Sequence, residues 1–139
     1  MSTLTAKSDY LLLFRGNVWD RGLSPAQLQE VVSDWMAWFE RLKDEGKCLG
    51  GHPLEEEGKV VSGKQGRTVA DGPFAESKEA IGGYFCLTVA DESEAIEIAK
   101  QCPGLEYGSV VEVRPVSEMC SVKQRAEEYF PGQLAGAPS

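Results

Sequence analysis

The run Gly83-Tyr84-Phe85-Cys86-Leu87-Thr88-Val89, with Asp91-Glu92-Ser93-Glu94 close behind it, settles the architecture. Side chains in a strand alternate between two faces, so Phe85, Leu87 and Val89 share one face and Tyr84, Cys86 and Thr88 the other. The apolar trio requires a cover of helices, and the chain supplies one immediately. Asp91 and Glu94 have the spacing of a capping box, Ala95, Ile98, Ala99 and Cys102 line one side of a helix, and Pro103-Gly104 stop it. Val110 to Val116 then reads as another strand, which completes a strand-helix-strand unit.

Moving toward the N-terminus, the same unit recurs. Tyr10 to Arg15 is apolar on both alternating faces, as a central strand would be. A polar, turn-rich link from Asn17 to Gly22 leads to Ser24-Pro25-Ala26-Gln27, a second capping box with proline at the first helical position. Leu28, Val31, Val32, Trp35, Trp38, Phe39 and Leu42 follow as one helical stripe, and Gly46 fits a left-handed cap. Lys47 to Leu54 predicts a strand weakened by Gly50 and Gly51. Between the two units, Lys59 to Val61 and Arg67 to Ala70 flank Ser62-Gly63-Lys64-Gln65-Gly66 and predict a hairpin insert. The result is an α+β chain of order βαββαβ, with both helices on one sheet face. The uncovered face calls for a partner sheet, and hence for a homodimer. Beyond Val116, residues 117–139 read as an extension, with a short polar helix toward Tyr129 and a frayed tail from Pro131.

Composition narrows the function. At 139 residues the chain suits one domain, large enough to fold without a disulfide or a metal. The 22 acidic against 14 basic residues give a net charge of −8, which argues against direct nucleic-acid binding and against anionic membranes. Cys48, Cys86, Cys102 and Cys120 form no C-x-x-C pair; Cys86 and Cys102 read as small buried hydrophobes, and a reduced, cytoplasmic protein is expected. Met1 to Lys7 is short and polar, and Leu11-Leu12-Leu13-Phe14 is far too short to span a bilayer.

Five stretches together resemble a known family: Tyr10-Leu11-Leu12-Leu13-Phe14, Asp71-Gly72-Pro73-Phe74-Ala75-Glu76-Ser77-Lys78-Glu79, Ile81-Gly82-Gly83-Tyr84-Phe85, Cys102-Pro103-Gly104 and Val111-Glu112-Val113-Arg114-Pro115. In this order they look like the DGPF branch of the YCII-related proteins, over residues 8–116. The resemblance implies a ferredoxin-like protomer with a hairpin insert, pairing sheet to sheet into a dimeric α+β barrel. Some relatives in the wider superfamily act on small ring compounds, and DGPF members are often encoded beside alternative sigma factors. A His-Asp pair has been proposed as the active centre of YCII-type proteins. The Asp carries over to Asp71. The helix position where many DGPF members hold histidine reads Trp35-Met36-Ala37-Trp38, and the only histidine is His52.

Each candidate residue has a functional and a structural reading. Asp71 is either a general base or an Asp-Gly-Pro turn-former. Gly72, Pro73, Gly82 and Gly83 shape backbone. His52 is either an acid-base group or a surface residue, and with Cys48 alone it makes no metal site. By strand period Tyr84 and Thr88 face the sheet-to-sheet interior, and Glu112 and Arg114 share a face that Arg15 joins; these charges either line a pocket or pair across strands. Trp35 and Trp38 belong to the core, Lys64 and Arg67 to a solvated turn, and Ser62 and Ser77 lack a base. The preferred reading is a homodimer whose interior binds a small organic molecule, with Asp71 as catalytic residue and Arg15, Tyr84, Glu112 and Arg114 as binding residues, without cofactor or metal. The rivals are a regulatory module linked to a sigma factor and a dimer with no ligand.

Overall fold

In a computed structural model of the chain, residues 7–16, 18–73, 77 and 79–132 are described. Four strands, β1 (Ser8–Arg15), β2 (Cys48–Pro53), β5 (Ile81–Val89) and β6 (Val110–Pro115), form one sheet in the order β2-β5-β1-β6, and all three pairings are antiparallel. β3 (Lys59–Ser62) and β4 (Thr68–Asp71) make the separate hairpin. With α1 (Pro25–Asp44) after β1 and α2 (Glu92–Ala99) after β5, this is the ferredoxin-like arrangement expected from the two strand-helix-strand units.

The helix ends are built as their residues dictate. The Ser24 side chain accepts from the Gln27 amide while the Gln27 side chain accepts from the Ser24 amide, which satisfies two orphan donors at once. At α2, Asp91 caps the Glu94 amide, but the Glu94 carboxylate reaches back one residue further, to the Ala90 amide. That bond, together with Lys47 at 3.1 Å, holds the Glu94 carboxyl below the usual carboxylate range. The Pro103-Gly104 stop opens a 3-10 turn over Pro103–Tyr107. α3 (Ser121–Tyr129) starts later than the chain pattern suggests, and residues 133–139 of the expected tail lie outside the described residues.

Strand alternation sorts the sheet. Tyr10, Leu12 and Phe14 of β1 meet Phe85, Leu87 and Val89 of β5 on the helix face, where Trp38, Leu42, Ala95, Ile98 and Cys102 close the core. Leu12 and Leu87 are fully excluded from water, and truncating either to alanine would cost about 2–5 kcal/mol. Burial pushes the Cys102 thiol up to about 11 and also raises that of Cys48. Cys86 departs from expectation. Its position in the alternation sets it opposite Leu11 on the open face, half-buried, beside Tyr84 and Thr88.

The stripe on α1 divides likewise. Val31, Trp38 and Leu42 are buried, whereas Leu28, Val32 and Met36 are exposed. The reason is a hollow beneath the first half of the helix. No helix among the described residues is long and apolar enough to cross a membrane.

Candidate functional site

The hollow is a cavity of about 530 Å³. Its floor is the end of the sheet where β1 stops and β5 begins, its roof is the first half of α1, and its sides come from the β1–α1 link and the end of β2. Phe14, Trp19, Trp35, Phe39 and Phe85 supply rings, and Leu28, Val31, Val32, Met36 and Leu54 supply aliphatic wall. The polar lining is Asp20, His52, Glu56 and Tyr84.

The rings are locked against each other. Phe14 meets Trp35 and Phe85 edge to face, each at 4.9 Å between centroids, and Phe39 lies 4.8 Å from Phe85. Trp19 stacks on Trp35 at 5.9 Å with 16° between planes, and Tyr107 stacks on Trp19 at 6.5 Å. Offset and edge-to-face pairs of this kind each add about 0.5–1.5 kcal/mol beyond area burial, so the wall is stiff in the absence of ligand.

Two glycines let β2 and β5 close up at the cavity's edge. A Cβ at Gly51 would overlap the Tyr84 carbonyl oxygen and lie 2.7 Å from the Phe85 ring, and one at Gly83 would lie 2.9 Å from the His52 carbonyl oxygen. The close approach sets His52 and Tyr84 directly opposite each other in the ladder, with His52 Nδ1 2.8 Å from the Tyr84 hydroxyl. The alternation that sets Phe85 on the helix face sets this pair on the open face, level with Leu13.

The residues singled out in the sequence fall into three places. Tyr84 borders the cavity at the end of the sheet, with its side chain on the open face. Arg15, Glu112 and Arg114 come together on the open face of the sheet, where Glu112 accepts from Arg15 at 3.2 Å and from Arg114 at 2.6 Å. Asp71 ends β4 in the separate hairpin, where it is ion-paired with Lys59; both side chains are about 70% exposed, at 70% and 68%. Asp71 is not among the cavity's lining residues. Next to it, the Gly72-Pro73 peptide is cis and the Gly72 amide donates to the Gly58 carbonyl. Phe74, Ala75, Glu76 and Lys78 of the same motif lie outside the described residues.

Sequence reasoning assigned Trp35 to the core together with Trp38. Trp38 is indeed buried, but Trp35 is half-buried and walls the cavity. It passed over Trp19, Asp20 and Glu56 altogether. The usable signal was a large aromatic, Trp19, in a link rich in polar and turn residues. Among the described residues, no group of three His, Cys, Asp or Glu side chains is placed to hold a metal.

No curated protein matches the chain. Among solved structures, the hydroxynitrile lyase from Passiflora edulis is similar at a TM-score of 0.35 and 11% sequence identity, over 84% of this chain and 98% of that one. The likeness is too distant to carry chemistry across. The YCII-related domain profile, by contrast, matches residues 13–120, well over half of the sequence. The chain belongs to the YCII-related family.

Proposed function

We propose that this YCII-related protein binds a small, mostly apolar ring compound in the cavity under α1. The observation that carries the reading is the cavity itself: about 530 Å³, walled by interlocked aromatic rings, with Asp20, His52, Glu56 and Tyr84 as its few polar lining residues. Ligand sites for small organic molecules fall in this size range and have this mixture of apolar wall and few polar groups. The site moves the ligand from the sheet-to-sheet interior to the helix side of each protomer.

The Asp71-Gly72-Pro73-Phe74 stretch supports a place in the DGPF branch, and four free cysteines, two of them buried with raised pKa values, suit a reducing cytoplasm. In the same reading the open sheet face joins two protomers. Leu11, Leu13, Tyr84, Cys86 and Thr88 on that face are only half-covered within one chain, and the Arg15–Glu112–Arg114 cluster gives it a polar flank.

Thermal shift with para-cresol and naphthol tests the ligand reading. The wild type should gain stability with ligand concentration. Val32→Phe fills the cavity from a helix position that is 53% exposed, so it should fold and lose the response. An unchanged response in Val32→Phe would remove the site from this cavity.

A further inference from the structure

The geometry points to a charge selection at this cavity: it takes a neutral or cationic ring compound, such as an arylalkyl amine, and rejects the matching carboxylate. The inference rests on the ligand reading above and sharpens it to a substrate class.

Among the described residues that line the cavity, the ionisable side chains are Asp20, His52, Glu56 and Tyr84, with no lysine or arginine. A site built for a carboxylate or phosphate sets cations or a fork of guanidinium donors against it. Here the formal charges in the lining are two carboxylates. Glu56 has Arg21 at 3.9 Å, but both side chains are more than half exposed, at 62% and 51%, so water screens that pair and does not neutralise the wall. The remaining wall is ring and aliphatic surface, which supplies no counter-charge of its own.

The consequences differ by ligand charge. An anion entering the cavity would face two carboxylates with no counter-charge among the described lining residues. An ammonium would be attracted by both, and its N–H groups could donate to either carboxylate. The net charge of −8 acts in the same direction at long range, so the local contribution has to be separated from the global one.

Titration calorimetry with benzylamine, benzyl alcohol and benzoate, three molecules of nearly the same shape and different charge, tests this. The expected order is benzylamine tightest and benzoate weakest, with a ratio of at least ~10-fold at low salt that narrows as salt is added. Asp20→Asn combined with Glu56→Gln should collapse the ratio; thermal melts of the variant check that it is folded. Equal binding of the three compounds, or tighter benzoate, would overturn the charge selection and leave the cavity as a ligand site. A preference that survives the double substitution would also overturn it, because the selection would then belong to the net charge. Binding of none of the three at millimolar concentration would overturn both readings.

Discussion

Gly51 decides whether the candidate site exists. It sits where β2 crosses closest to β5, and any side chain there would press on the Tyr84 carbonyl and the Phe85 ring, neither of which can swing away. Gly51→Ala is therefore expected to destabilise the fold by about 1–3 kcal/mol, as overpacking does, and to pull His52 away from Tyr84. Urea denaturation measures the first effect, and the His52 imidazole resonances report the second. Unchanged stability would mean that β2 rides loosely on β5 and that the imidazole–phenol pair is not fixed by the backbone. Little of this was visible in the sequence. A glycine in a strand announces close approach, yet which backbone approaches it depends on the pairing of His52 with Tyr84 across 32 positions of chain. Tyr84 could be placed on its face by counting in twos. His52, next to two glycines and a proline, offered no period to count.

At the scale of elements, the strands and helices were legible because their signals are local. The Ser24–Gln27 box, the stripe on α1 and the alternation in β5 each fix an element by themselves. What was not legible is how far α1 stands off the sheet at its first half, since Leu28 and Val32 read like core until the hollow beneath them is known. The alternation also defines the open face, and that face makes a prediction. Sedimentation equilibrium at micromolar concentration should give about twice the chain mass, as expected for a face large enough to hold a stable pair. Leu13→Glu, a charge set on a half-buried position of that face, should yield a folded monomer. A wild type that stays monomeric over that range would contradict the pairing without touching the cavity, which lies on the helix side.

On the scale of the whole molecule, the two faces of one sheet carry two different tasks. The helix face holds the core and, at the end near Phe14 and Gly82, the cavity. The opposite face carries the Arg15–Glu112–Arg114 cluster, and the hairpin carries Asp71 with Lys59. The sequence named residues in all three places but could not separate them, because β-strand period assigns a side chain to a face and says nothing of depth along it. The most direct test maps where a ring compound lands. Proton–nitrogen correlation spectra of the labelled protein, titrated with naphthol, should show the indole signals of Trp19 and Trp35 and the amides of Gly51, Gly82 and Gly83 moving together along one saturable curve, with Leu11, Leu13 and Arg114 unmoved. Saturable shifts at Leu11, Leu13, Cys86 and Arg114 with both indoles still would put the ligand on the open face, and contradict the account.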